Sequence, residues 1–417
     1  MITRVVRLPL VILVPVLLAV VMSSLFARPA AADSPPVPSA AGASSACEPD
    51  GVQPGGAIYR ICMPSGSWNG DLVIYAHGYV PYNVPLAIPE NQLVLPNGTS
   101  LPDLINSLGF AFATTSYRTN GLAVLHGVED LIELVNVFTT THSMPAHIYV
   151  TGVSEGGLIT ALAVEQRPHV FDGGLAACGP IGDFVGQIRY FGDFRVLFDY
   201  VFPGLMPGSP ISVPQSLIDN WTTHYTTTIR PAILNPANAG KIDQLMRVSH
   251  APYVPGITST IETSVFDALS YNVFATNDGI AKLGGQPFDN RDRVYTGSSN
   301  DAQLNLMVRR FSADQAALNE IEANYQTTGQ LTIPLVTIHT TLDQQVPYWH
   351  ELLYRGKVIL NDSLALHRHT EVDRYGHCNF EAGEVLGAFL ELVNMVLNPP
   401  APISSPRQFL PITAVRP

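Results

Sequence analysis

The sequence predicts an α/β fold: a mostly parallel sheet covered by helices on both faces and interrupted by one large insertion. Three observations carry that expectation. Short apolar runs bounded by glycine, proline or asparagine alternate with segments whose apolar residues recur at helical spacing. Several runs, such as "LVIYA" and "FAFATT", are apolar without alternation, as in strands buried on both faces. Between about Asp183 and Thr332 the alternation stops, and afterwards it resumes in the same style.

Taken in order, "GAIYRICMP" and "DLVIYAHG" read as strands, "LPDLINSLG" as a short helix and "FAFATTSY" as a further strand. "LAVLHGVEDLIELVNVFTTTH" reads as a helix with Leu131, Leu134, Val135 and Phe138 along one side. "AHIYVTG" is a strand, "GGLITALAVEQ" a helix that Pro168 terminates, and "FDGGLAACG" the next strand. The aromatic, Pro- and Gly-rich stretch 183–332 follows, with scattered helical pieces such as "DAQLNLMVRRFSADQAALNEIEANY". An insertion between two late strands is expected to cap the carboxyl edge of the sheet, where ligands bind in open α/β folds. The core is therefore expected over 47–182 and 333–398. In its second part "IPLVTIHTTLD" is a strand, "YWHELLYRGKVIL" a helix, "HRHTEVDRYGH" a strand and "FEAGEVLGAFLELVNMVL" the closing helix. The Pro-rich tail 399–417 is expected at the surface.

The chain has 417 residues, 46% of them hydrophobic and 13% charged, which excludes general disorder. Its formal net charge of −12 does not suggest a nucleic-acid partner, which would call for a basic stripe. Arg4 and Arg7 precede the apolar run "LPLVILVPVLLAVV", and "ARPAAAD" places Ala30 and Ala32 in the small-residue pattern of a signal-peptidase site. Residues 1–32 are therefore expected to be a cleaved signal peptide, followed by a Pro/Ala/Ser tether over 33–46. The protein is expected to be secreted or periplasmic, touching a membrane only through the uncleaved segment; an uncleaved anchor is the alternative. In an oxidising compartment the cysteines read as bridge-formers. Cys47 with Cys62 would close a short loop around the first strand. That leaves Cys178 and Cys378 as a second bridge or as two buried thiols.

The chemistry centres on "GVSEGG". A G-x-S-x-G match arises by chance in roughly one chain in ten of this length, so its context has to decide. Ser154 stands where a predicted strand turns into a predicted helix, with Gly152 and Gly156 allowing the tight approach of a nucleophile elbow. An ordinary N-cap serine has no need of glycines on both sides. A serine hydroxyl is a poor nucleophile until a base takes its proton, an acid orients that base, and backbone amides hold the oxyanion.

Of the 12 histidines, His377 lies just after the last predicted strand and before the last helix. His367 and His369 lie within that strand and read as structural. His339 with Asp343 has an H-x-x-x-D spacing that invites a metal pair, but a strand does not bring residues four apart together and no third ligand is apparent; no metal is expected. Asp343 leaves the strand before that of His377 and is the preferred acid; Asp183 and Asp373 are the rivals, and an Asx-turn is its ordinary alternative. "YAHGYV" follows a buried strand, so Gly78 would let the Tyr79 amide point at the site, with the Glu155 amide as second donor. The Glu155 side chain is not expected to react.

The order Ser154, Asp343, His377, with "HG" upstream and an insertion between, resembles the α/β-hydrolase superfamily of serine hydrolases. The likeness runs from about Val52 to Leu397, the insertion apart. It implies an α/β-hydrolase fold with a sheet of about eight strands, a cap (lid) domain, a covalent acyl-enzyme and no cofactor. Through "GFAFATTSYRTNG" the chain is similar to secreted esterases and to prolyl-oligopeptidase-like hydrolases. It is also similar in part to tannases and feruloyl esterases, in which a cysteine follows the catalytic histidine and pairs with one preceding the nucleophile. Here Cys378 follows His377, but Val153 precedes Ser154. That departure redirects Cys378 towards Cys178, whose strand neighbours the elbow in this fold.

The function expected first is hydrolysis of small-molecule or polymeric carboxylic esters. The cap aromatics Tyr190, Phe191, Phe194, Phe198, Tyr200 and Phe202 would either bind an apolar acyl or aromatic group or simply pack the cap. A peptidase of the prolyl-oligopeptidase type is the alternative, although nothing in the chain resembles a β-propeller. A non-catalytic binding protein on the same scaffold is a third reading, against which the intact Ser/Asp/His set speaks.

Overall fold

The apolar runs become the strands of one sheet. The computed structural model describes residues 47–95 and 97–399. The expected signal peptide, the tether and the tail beyond Pro399 lie outside the described residues. Described in chain order, the strands are β1 (Gly51–Val52), β2 (Ile58–Cys62), β3 (Leu72–Ala76), β4 (Ala111–Thr115), β5 (Ile148–Val153), β6 (Gly173–Ala177), β7 (Leu335–Leu342) and β8 (His367–Tyr375). They are ordered β1-β2-β4-β3-β5-β6-β7-β8; β1 and β2 pair antiparallel, and all pairings from β4 to β8 are parallel. This is the α/β-hydrolase fold that the sequence predicts. The two-residue β1 had no apolar run to announce it.

The helices are α1 (Leu101–Ser107), α2 (Val124–Thr141), α3 (Glu155–Gln166), α4 (Phe184–Val201), α5 (Gln215–Asp219), α6 (Trp221–His224), α7 (Arg230–Leu234), α8 (Ala239–Ser249), α9 (Thr258–Lys282), α10 (Asp301–Met307), α11 (Gln315–Asn324), α12 (Trp349–Leu360) and α13 (Ala382–Leu397). Strand periodicity sorts β3 between two cores. Leu72, Ile74 and Ala76 join Leu131, Leu134 and Phe138 of α2 and Leu158 and Leu162 of α3. Val73 and Tyr75 join Phe389 and Leu392 of α13 on the opposite face. Both faces being covered, the central strands could not alternate with polar residues.

The stretch between β6 and β7 is more regular than its composition suggested. It is built almost wholly of helices, α4 to α11, and α4 begins at Phe184 rather than after a loop. It carries its own core, in which Phe194 and Phe198 of α4, Trp221, Leu245 of α8 and Val265 and Leu269 of α9 pack together. The buried Arg195 is neutralised there by Asp199 (2.9 Å) and hydrogen-bonded to Asn272 (2.8 Å), which offsets its desolvation. Among the described residues no helix is long and apolar enough to cross a membrane. All four cysteines are paired, Cys47 with Cys62 and Cys178 with Cys378, so the alternative of two buried thiols falls away.

Candidate active site

Ser154 lies between the end of β5 and the start of α3 with φ +55° and ψ −122°, a conformation that L-residues rarely adopt. Its amide donates to the Ala177 carbonyl (2.9 Å), and its side chain caps no helix. The turn closes only because its neighbours lack side chains. A Cβ on Gly152 would lie 2.2 Å from the Gly156 carbonyl oxygen, and one on Gly156 would lie 2.0 Å from that of Ala76.

His377 lies in the turn between β8 and α13. Gly376 accepts from the Thr340 hydroxyl (2.7 Å) and donates to the Leu342 carbonyl (3.2 Å), pinning the turn to the end of β7. The Ser154 hydroxyl faces His377 Nε2 at 2.8 Å, and His377 Nδ1 faces Asp343 Oδ2 at 2.8 Å. Asp343 is fully buried, and its Oδ1 accepts from the Gln345 and Val346 amides, both at 2.9 Å. Burial alone would raise its proton affinity, but His377 and His339 hold the carboxyl well below the usual carboxylate range. The rival acids are elsewhere: Asp183 accepts from Gln326 (2.9 Å) and Asp373 from Thr341 (3.0 Å) at the surface.

The histidine–glycine turn after β3 lies against the serine, since a Cβ on Gly78 would come within 3.1 Å of Ser154 Cβ. Gln92 braces it, accepting from the Gly78 amide (2.6 Å) and donating to the Tyr79 carbonyl (3.4 Å). The Gly78 amide is thereby occupied, whereas the Tyr79 and Glu155 amides donate to no backbone or side-chain acceptor of the described residues. Glu155 is the first residue of α3, where no intrahelical partner exists. Its side chain accepts from the Ala123 amide (2.9 Å) and ties the loop after β4 to the elbow. Burial pushes its carboxyl up to about 8, against the pull of the Ala123 amide and Lys282.

The second bridge belongs to this site. Cys178 follows β6, the strand beside the elbow, and Cys378 follows His377, with its sulfur 3.4 Å from His377 Nε2. Cys178, His377 and Cys378 converge in the manner of a ligand set, but both sulfurs are spent in the bridge. Cys378→Ser is expected to lower kcat roughly 10- to 100-fold by loosening the His377 turn and to cost about 2–5 kcal/mol of stability. Cys47→Ser, remote from Ser154, should lower the melting temperature and leave kcat near the parent value. Initial rates and thermal melts of both variants check this; an unchanged kcat in Cys378→Ser would show that the bridge does not position the histidine.

A cavity of about 150 Å³ opens at Ser154 between the core and helices α4 and α9. Its walls are mostly apolar, with Leu122, Phe184, Ile188, Phe191, Tyr271 and Phe288 among them. Of the six aromatics singled out in the insertion, Phe191 alone lines it. Tyr190, Phe194, Phe198 and Phe202 are in the insertion's own core, and Tyr200 packs against that core. Phe184, Ile188 and Phe191 share the face of α4 that meets the cavity; Phe194 is rotated off that face, and Phe198, two turns beyond Phe191 on nearly the same face, lies in the insertion's own core.

Sequence reasoning missed Tyr271. From α9 its hydroxyl donates to Gln345 Oε1 (3.0 Å) and faces Ser154, and its ring stacks on Phe191 at 4.6 Å. Burial raises its hydroxyl well above the ordinary range, so it remains a donor. The spacing of Tyr271, Ala275 and Gly279 marks a helix face, but nothing in it says that the face looks at the serine. The Tyr79 hydroxyl, also on the cavity, is buried and has no hydrogen-bond partner among the described residues.

Residues 106–187, from α1 through the elbow to the start of α4, match the family described as the prolyl oligopeptidase family. No curated protein matches the chain. Among solved structures it is similar to an acylaminoacyl peptidase from Pyrococcus horikoshii, at 13% identity and a TM-score of 0.39 over 81% of this chain and 39% of that one. The chain thus spans well under half the length of that peptidase. It is also similar to feruloyl esterase B from Aspergillus oryzae, at 15% identity and a TM-score of 0.44 over 83% of this chain and 78% of that one. An esterase from Pyrococcus furiosus is similar at 11% identity and a TM-score of 0.42, over 84% of this chain and 90% of that one.

Proposed function

From the premise of a serine hydrolase with the α/β-hydrolase fold, we propose that the chain is a secreted carboxylic-ester hydrolase acting on esters of a small apolar acyl or aromatic group. In this reading Ser154 Oγ attacks the ester carbonyl as its proton passes to His377 Nε2, and Asp343 holds the imidazole by Nδ1–H and stabilises the imidazolium. The Tyr79 and Glu155 amides receive the oxyanion. His377 then returns the proton to the departing alkoxide, leaving an acyl-serine. Water, deprotonated by the same imidazole, releases the acid. The helical insertion acts as the lid over this chemistry.

The observation that carries the choice of ester over peptide is the cavity at Ser154. Its free volume is about 150 Å³, roughly that of a void that accepts one benzene ring. Its acidic wall residue, Glu155, is buried, tied to a backbone amide and pushed towards neutrality. It is therefore poorly prepared to receive the ammonium group of a peptide substrate. The unpartnered Tyr79 hydroxyl suits one polar group on an otherwise apolar ligand. Secretion is supported by the leader pattern and by the two disulfides.

The test compares the ethyl esters of benzoic, butyric and lauric acids with peptidyl-prolyl anilides. Benzoate and butyrate are expected to exceed the anilides in kcat/KM by roughly a thousandfold or more, and laurate to be poor because its chain outgrows the cavity. Anilide turnover at a comparable kcat/KM would replace this reading with the peptidase one.

A further inference from the structure

Behind Asp343 lies a second set of titratable groups that neither attack, protonate nor orient anything in the ester cleavage proposed for Ser154. His339, on β7, is fully buried. The chain turns back after Leu342, so residues four apart meet after all: His339 Nε2 lies 3.4 Å from Asp343 Oδ2, contrary to the expectation for a strand. The same nitrogen is 2.8 Å from the Val346 carbonyl, and Nδ1 is 3.1 Å from Glu351 Oε1 on α12. Both ring nitrogens thus face only carbonyl and carboxylate oxygens. A neutral imidazole would press its bare nitrogen against an oxygen lone pair, and only the doubly protonated ring satisfies both sides.

Glu351 is held as an anion should be. Its other oxygen accepts from the Thr337 hydroxyl (2.8 Å) and meets His369 Nδ1 of β8 at 3.1 Å. Burial by itself would lower the proton affinity of His339, but Asp343 and Glu351 raise it to about 10. The remaining groups near this pair are neutral or more distant. His350 is kept uncharged by burial and by His339 itself, Tyr348 meets the ring edge-on at 5.8 Å, and Asp267 of α9 acts on Asp343 from the far side of Gln344 and Gln345.

We propose that His339 is a positioning residue: a permanent buried imidazolium that shares the Asp343 carboxylate with His377 and limits how tightly His377 holds a proton. Without that cation, Asp343 and Glu351 would place two buried negative charges behind His377. The imidazole would then stay protonated to higher pH and be unable to accept the Ser154 proton. The proposal rests on the serine-hydrolase reading of the site.

The test is the pH profile of kcat/KM for His339→Gln, whose acid limb reports the free enzyme's base. The limb is expected to move up by roughly one pH unit, with about a tenfold loss near pH 6 and a much smaller one near pH 9. An equal loss at every pH would mark His339 as merely structural and overturn the proposal. Should that variant not fold, ¹⁵N spectra of the histidine-labelled parent protein decide. One imidazole should keep both nitrogens protonated at pH 8, and Glu351→Gln, which retains the ring, should identify it by bringing its titration to lower pH. A neutral His339 ring at pH 7 overturns the proposal. If a fluorophosphonate fails to label Ser154, the reading of the active site falls, yet the spectrum still reports the charge of His339.

Discussion

Ser154→Ala is expected to lower kcat for ester hydrolysis by roughly 10⁵- to 10⁶-fold while the protein stays folded. The size follows from the arrangement: His377 Nε2 faces the Ser154 hydroxyl at 2.8 Å, and with Oγ gone its proton-accepting face meets no nucleophile held by the chain. The turnover that remains should come from the oxyanion donors and the cavity acting on water. Folding should be spared for two reasons. The Ser154 side chain caps no helix, and alanine at φ +55° carries the same Cβ that serine does. Turnover of a benzoate or butyrate ester, with a thermal melt as control, checks the result. Retention of more than about one per cent of activity would sink Ser154 as the nucleophile.

Asp343→Asn is expected to lower kcat roughly 10⁴-fold, through the histidine tautomer rather than through misfolding. Asp343 Oδ1 accepts from two backbone amides, of Gln345 and Val346. The carbonyl oxygen of an asparagine must take that position to satisfy them, so its NH₂ group occupies the place of Oδ2. There it donates to His377 Nδ1, and the imidazole proton moves to Nε2, opposite Ser154. The base then presents a donor where an acceptor is required. A ring held in that tautomer should show as an Nε2–H signal in the ¹⁵N spectrum, alongside the fall in kcat. A fall of less than tenfold would mean that Asp343 does not orient the imidazole.

Ser154 and Asp343 could be singled out without coordinates because each stands at the end of an apolar run, and His377 because it lies between the last predicted strand and the last helix. In a parallel sheet, consecutive strands deliver their carboxyl ends to one edge. The glycines flanking Ser154 were legible for a related reason, since close backbone approach tolerates no Cβ. The groups that escaped notice are those brought in by another element. Tyr271 reaches the serine from α9, and Gln92 braces the Gly78 turn from a short 3₁₀ helix (Glu90–Gln92) downstream. His339 and Glu351 lie on a strand and a helix whose packing places a cation between two carboxylates. Nothing in their local sequence records that meeting.

The sequence by itself determined the order and type of the core elements other than β1, and which chemically capable residues stand just beyond their strand ends. Local backbone sterics, strand and helix periodicity and the need for glycine at the elbow act over a few residues at a time. The shape of the cavity, the choice of Phe191 rather than Phe194 or Phe198 to line it, and the pairing of Cys178 with Cys378 across 200 residues were decided by the tertiary structure. Each depends on how helices and strand-end loops dock against the sheet. That docking is set by the packing of whole buried faces, which many alternating sequences could satisfy in different ways.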